Sequence, residues 1–312
     1  MKPDRSPARL LPVASALIAG MAGAPAMAGT VAAVPGKVDA YLGEWNYDQP
    51  DRESMRNIAE IGCLDTQPGC ESPIPGAPAG TPMRIPQIGR IVFTKEAGGK
   101  VVGRTDRGCT WRFTAQRDYL QLDPPSQRCV NRVINSSYTI TRWSVTVSGR
   151  HERETIDGIS HHPNGDYRFL LQHGARTKVR TEPWIKAARR FTGRWEYVPA
   201  DPSRLINIVV HRTGRQSGRS EQRGVVDMVV QPDRTIAART SDGCRWTLAA
   251  RGNTAELDPP GQVCRRPGET VTLDFWQVAS DGEHQASIMN GTVRRDGVTS
   301  AFLLNVGALS RR

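Results

Sequence analysis

Six cysteines are the residues of this 312-residue chain whose spacing says most about chemistry. Cys109 and Cys129 are 20 positions apart, and so are Cys244 and Cys264. Trp111 and Asp123-Pro124-Pro125 lie with the first pair. Trp246 and Asp258-Pro259-Pro260 lie with the second at a constant offset of 135. A fixed offset across several residue types is internal duplication. A pairing used identically in both copies must be Cys109–Cys129 and Cys244–Cys264, which leaves Cys63–Cys70. Each 20-residue closure is worth about 3 kcal/mol in the chain-entropy model. Zinc would need Cys-x2-Cys or histidine partners at ligand spacing, and neither occurs. With every cysteine assigned to a bridge, none is left as a nucleophile.

Histidine and carboxylate chemistry is equally thin. His161-His162, with Asp157 and Asp166 nearby, has the residue types of a metal site, but its counterpart in the second copy is Arg294-Arg295. That exchange fits a basic hairpin tip better than a ligand cage. His151 and His284 recur in both copies just after Gly149 and Gly282, as turn residues do. Asp123 and Asp258 precede Pro-Pro and read the same way. No Gly-x-Ser-x-Gly, His-Glu-x-x-His or phosphate-binding glycine loop is present. No catalytic residue, metal or cofactor is therefore expected. Six of the seven tryptophans fall into repeat pairs, 45/195, 111/246 and 143/276. They are large apolar fillers for small interiors, or the lining of a cavity. The candidate ligand-lining set is Trp45, Tyr47, Trp143, Trp195, Tyr197 and Trp276.

The elements that must hold these residues are strands. Tyr41-Leu42-Gly43-Glu44-Trp45-Asn46-Tyr47 and Phe191-Thr192-Gly193-Arg194-Trp195-Glu196-Tyr197 share aromatic-x-Gly-x-Trp-x-Tyr at an offset of 150. Their alternation is that of a strand with one aromatic face. The offset falls from 150 to 135, so the first copy carries about 15 extra residues within roughly 62–87. Proline crowds that stretch, which reads as a surface loop stapled by Cys63–Cys70. Further on, Cys109, Trp111 and Phe113 alternate with polar residues, as do Cys244, Trp246 and Leu248. In the last third the offset is 133, pairing Gly158 with Gly291 and Phe169 with Phe302. Each copy offers about eight short strands in about 120 residues. The expected fold is all-β, two tandem antiparallel barrels from an internal duplication, each with its own disulfide. A barrel is favoured because closure leaves no sticky edge. The repeats are placed at 37–176 and 191–312. The basic stretch 177–190 between them permits a short helix starting at Pro183 and holding Trp184, a residue placed to wedge between the domains.

The Gly-x-Trp at Gly43/Trp45 and Gly193/Trp195, early in an all-β unit, resembles that of lipocalins and their small-barrel relatives. The resemblance implies that the Trp closes one barrel end against an arginine from the last strand. Arg176 and Arg311 are near that place, although they do not align with each other. The chain is also similar to bacterial inhibitors of secreted metalloproteases, exported disulfide-bearing barrels that insert an N-terminal trunk into the protease.

Residues 1–28 have the pattern of a secretory signal peptide: Lys2, Arg5 and Arg9, an apolar stretch from Leu10 to Gly23, then Ala26-Met27-Ala28. That predicts a mature start at Gly29 and a periplasmic or secreted protein, where disulfides persist. Removing a leader with three basic residues and one acidic residue leaves about +9 of the formal +11. Such a surface stays soluble and favours anionic partners; nucleic acid is not expected to be one. No downstream stretch is long and apolar enough for a bilayer-spanning helix. The expected function is a non-catalytic binding protein of the cell envelope or extracellular space. An inhibitor of a secreted protease and a carrier of a small apolar ligand are the alternatives. The contact regions would be the Pro-rich loop, the arm from Gly29, and the tips at His161-His162 and Arg294-Arg295.

Overall fold

A computed structural model describes residues 38–134, 136–162, 165–179 and 183–312. The proposed signal peptide, the arm from Gly29 and the tip after His162 lie outside these residues. Each repeat closes eight antiparallel strands into a barrel. In the first, β1 (Gly43–Tyr47) is followed around the wall by β4 (Arg90–Lys95), β5 (Val101–Thr105), β6 (Thr110–Ala115), β7 (Leu120–Leu122), β9 (Ser136–Ser148), β10 (His151–His162) and β11 (Gly165–Lys178). Strand β11 returns to β1, pairing Trp45 with Lys178 and Tyr47 with Arg176. The second barrel repeats this order with β12 (Gly193–Tyr197), β15 (Val225–Val230), β16 (Ile236–Thr240), β17 (Arg245–Arg251), β18 (Thr254–Leu257), β20 (Glu269–Ser280), β21 (His284–Arg295) and β22 (Val298–Arg311), and β22 closes on β12. Alternating apolar residues point inward and form one core cluster per barrel, built around Trp45, Phe93 and Phe113 in the first and Trp195, Met228 and Leu248 in the second.

Three further strands decorate each wall. Strands β2 (Ile58–Gly62) and β3 (Met83–Pro86) extend from β11, as β13 (Ile208–Thr213) and β14 (Gln216–Glu221) extend from β22. Strand β8 (Gln127–Asn131) lies on β9 and β19 (Gln262–Arg266) on β20. Within the segment read as loop, Met83–Pro86 is in fact a strand. Met83 and Ile85 are buried alternately, and the edge position tolerates Pro86, which cannot donate to a ladder. The extra residues of the first copy thus separate two strands of one hairpin, whereas β13 and β14 are joined by a tight turn at Gly214.

The three disulfides are Cys63–Cys70, Cys109–Cys129 and Cys244–Cys264, as duplication requires. Gln127 and Gln262 repeat a second device. Each side-chain amide brackets a residue of the facing strand, Arg112 and Thr247, at 2.8 Å on both its N–H and its C=O, beneath the Asp-Pro-Pro turn. A third is buried. Asn57 donates to Asp48 O and Ala175 O and accepts from Ala175 N–H; Asn207 does the same with Val198 and Ala308. Both have left-handed backbones, φ 55° and 53°, which asparagine tolerates better than most residues.

Helix α1 (Trp184–Arg189) follows Pro183. Trp184 and Ala188 pack on the core cluster of the second barrel, so Trp184 belongs to that barrel and is not a wedge between the two. Both barrels fall within one compact unit. Their joint combines an apolar patch of Ile88, Ala279, Ala286 and Ile288 with a buried polar centre. There Gln277 accepts from Arg107 at 2.7 Å and donates to Asp106 at 2.7 Å and Glu256 at 2.5 Å. Around it Arg90 pairs with Glu256, and Asn253 donates to Tyr47 O.

Candidate functional site

One end of each barrel is shut by its first-strand tryptophan. Trp45 and Trp195 are fully buried, and each indole N–H donates to a backbone carbonyl four residues earlier, Tyr41 O or Phe191 O, at 2.7 Å. Lys178 Nζ lies 5.2 Å from the Trp45 ring and the Arg311 guanidinium 4.7 Å from Trp195. Lys178 and Arg311 are 133 apart, so they are the equivalent cations of the last strands. Arg176, expected in that place, points instead into the barrel. Two positions earlier on a strand is the same face, one layer further along the barrel.

Inside the first barrel Arg176 meets two carboxyls. Its Nη2 donates to Glu154 Oε1 at 3.1 Å, and its Nε lies 3.8 Å from Glu152 Oε1. The Trp143 N–H donates to the other oxygen of Glu154 at 2.9 Å. The guanidinium stacks 3.8 Å from the centre of the Tyr47 ring. All three ionisable side chains are at most 2% exposed. Gly174, opposite Glu154 across β10 and β11, makes the room, since a β-carbon there would collide with the Glu154 side chain. Burial pushes the Glu152 carboxyl up to about 8 against the pull of Arg176 and with the help of Glu154. Burial works against the Arg176 charge, but Glu154, Tyr47 and Glu152 outweigh it and raise the guanidinium above its ordinary value. Burial likewise holds the Tyr47 phenol well above its ordinary value.

The same places in the second barrel hold Gln285, Ser287 and Leu309. Leu309 pairs with Tyr197 as Arg176 pairs with Tyr47. Trp276 keeps the place of Trp143, but its indole N–H has no partner among the described residues, and neither do Gln285 Oε1 and Ser287 Oγ. The charged set is therefore a property of one copy. The polar groups that both copies repeat, Asn57/Asn207 and Gln127/Gln262, are spent on backbone.

Each barrel keeps an interior cavity. The first, about 140 Å³, is lined by Tyr47, Trp111, Tyr138, Ile156, Phe169 and Arg176. Arg90 and Arg107 also line it, as do Ser287, Ile288 and Asn305 from the second barrel. The second, about 190 Å³, is lined by Tyr197, Trp246, Leu273, Trp276, Met289 and Phe302. Its rim is ionic: Arg266 bridges Asp242 at 2.7 Å and Glu269 at 3.1 Å. Of the six aromatic candidates, Tyr47 and Trp143 line the first cavity and Tyr197 and Trp276 the second. Trp45 and Trp195 line neither, being packed into the closed ends. Reading the sequence singled out neither Glu152 nor Glu154. The available signal was divergence at aligned positions, Glu to Gln, Glu to Ser and Arg to Leu, on strands whose apolar residues match.

Elsewhere, His161 links Thr139 Oγ at 2.8 Å with Asp166 at 2.7 Å. These three lie on neighbouring strands and line neither cavity, so they clamp the hairpin. Among the described residues no group of three His, Cys, Asp or Glu is placed to hold a metal, and no helix is long and apolar enough to cross a membrane.

No family model and no curated protein matches the sequence. Two solved structures align loosely with most of this chain. A protein of unknown function of the DUF3598 family from Nostoc punctiforme is 9% identical, with 88% of this chain and 97% of that one covered, at a TM-score of 0.23. Transferrin binding protein B from Haemophilus parasuis is 7% identical, with coverage of 86% and 76% and a TM-score of 0.24. At such scores neither assigns a ligand.

Proposed function

We propose that the protein is exported and acts as a non-catalytic binding protein of the cell envelope or extracellular space, with the barrel interiors as its recognition sites. The carrying observation is that each closed barrel retains an aromatic-walled cavity, while the polar groups repeated in both copies are committed to backbone. Small concave sites with mostly apolar walls and few polar groups are the usual form of a ligand pocket. Three disulfides, and the leader expected at 1–28, suit an oxidising compartment. Thermal unfolding against a panel of ring-sized compounds tests the reading, because a ligand bound to the folded state raises Tm with concentration. Saturable shifts are expected. No shift from any compound, together with exclusion of xenon from both barrels in crystals under pressure, would remove the idea.

A second reading, inhibition of a secreted protease, draws on the Pro-rich loop. Ile74 anchors it in the core cluster of the first barrel, Cys63–Cys70 staples it, and the residues between Ile74 and Pro82 are largely exposed. A stiff exposed loop loses little entropy on binding. Assays of secreted proteases with the intact protein and a loop-deleted form decide it, and inhibition unchanged by the deletion counts against the loop.

A further inference from the structure

The two cavities differ in what their buried polar atoms ask for. Arg176 lines the first cavity, and its Nε and Nη1 have no hydrogen-bond partner among the described residues. Arg107 lines the same cavity at the joint, stacked 4.6 Å from the Phe275 ring, and its Nη1 is also buried without a partner. Both groups are donors. The carboxylate on this wall, Asp106, is committed: one oxygen accepts from Arg90 N–H at 2.8 Å and from Gln277 at 2.7 Å. Glu154 has both oxygens occupied, by Arg176 and Trp143. Glu152 does not line the cavity; both its oxygens are buried without a hydrogen-bond partner among the described residues, and Oε1 lies 3.8 Å from Arg176 Nε, beyond hydrogen-bond reach.

A buried guanidinium with idle donors is a strong recognition element for a carboxylate, because charge-assisted hydrogen bonds count most away from water. Most of the rest of the wall is apolar and aromatic, with Gln87, Thr105, Asn131, Ser287 and Asn305 as its uncharged polar members. A dry cavity of about 150 Å³ admits benzene, which sets the scale of the body that fits here. A cationic ligand would face three arginines, Arg90, Arg107 and Arg176, and on the wall itself only one carboxylate, Asp106, which is already hydrogen-bonded.

We infer that the cavity of the first barrel takes a small organic carboxylate with a ring-sized apolar body, its carboxylate held by Arg176 and Arg107, and that the second barrel has no such site. This rests on the reading of the barrel interiors as binding sites, and it names the ligand chemistry of one of them. Where Arg176 stands, the second barrel has Leu309, with Gln285 and Ser287 in place of the two glutamates. The second barrel thereby supplies a foldable replacement for the whole charged set.

The test is calorimetric titration of the full chain with benzoate, benzylamine and toluene near neutral pH. The same titrations are made on the triple variant Glu152→Gln, Glu154→Ser, Arg176→Leu. Benzoate should bind with one site per chain, about tenfold or more tighter than benzylamine, and the triple variant should lose at least that factor. Circular dichroism of the variant confirms its fold, and Arg107→Lys, which keeps the charge but not the planar fork, should weaken benzoate by a smaller factor. Benzoate binding that survives the triple change, or benzylamine binding as tightly, overturns the carboxylate assignment. Toluene binding without benzoate binding overturns it too, but leaves the barrels as ligand sites. Failure of all three probes removes both.

Discussion

Glu152 is a carboxyl held inside a barrel beside another carboxyl and one arginine, and its proton balance should be visible in stability. Its ordinary value is 4.5 and burial lifts it to about 8. Between those values the folded chain keeps a proton that the unfolded chain releases. The contribution is therefore present in full below about 4.5, declines as pH rises, and is gone above about 8. Urea unfolding at pH 5 and pH 8 should show Glu152→Gln losing less stability over that interval than the wild type; equal losses would contradict the placement of Glu152. Arg176→Leu alone strands Glu154 and should cost about 3–5 kcal/mol, whereas the triple change to the second barrel's residues should cost far less. Of this site the sequence disclosed the tryptophans, because apolar positions recur at a fixed offset. The charged residues were passed over because they do not recur. Of the two arginines near the expected cation place, Arg311 does lie over Trp195, whereas over Trp45 the strand register puts Lys178 in place of Arg176.

Duplication at the level of elements was legible wherever a strand alternates: Cys109, Trp111 and Phe113, with their copies, needed no structure. Strand β14 was not legible. Its residues Gln216–Glu221 are exposed on both faces, so no period-2 contrast exists to read. Strand β3 was hidden by Pro86 within it and Pro82 just before it. The buried asparagines carry the element-scale prediction. Asn207→Ala removes three hydrogen bonds that tie the turn before β13 to Val198 and Ala308, and it places alanine at a left-handed φ of 53°. A loss of about 3 kcal/mol is expected from denaturant unfolding, with a similar loss for Asn57→Ala. By contrast Gly218, with open space around a would-be β-carbon, should accept alanine at little cost. A β-carbon at Gly291 would instead run into the Thr272 carbonyl and destabilise by about 1–3 kcal/mol.

On the scale of the molecule, duplication has produced two barrels that are not interchangeable. The joint uses positions at which the copies diverge. Gln277 aligns with Ser144, Arg107 with Asp242, and Arg90 with Val225, so each barrel could evolve a different half of one contact. The joint should make unfolding cooperative: one transition for the wild type, and separated transitions for Gln277→Ala, which leaves Asp106, Arg107 and Glu256 without their shared partner. Differential scanning calorimetry distinguishes the two, and a single unchanged transition in the variant would show the polar centre to be dispensable. The same divergence separates the cavities, one charged and overlain by its neighbour, the other neutral at its base with an ionic rim. Fluorine NMR of 4-fluorobenzoate titrated into the full chain measures this asymmetry directly. One bound resonance with one site per chain, absent in the triple variant, is the predicted result; two equivalent sites, or a bound resonance that persists in the variant, would contradict it.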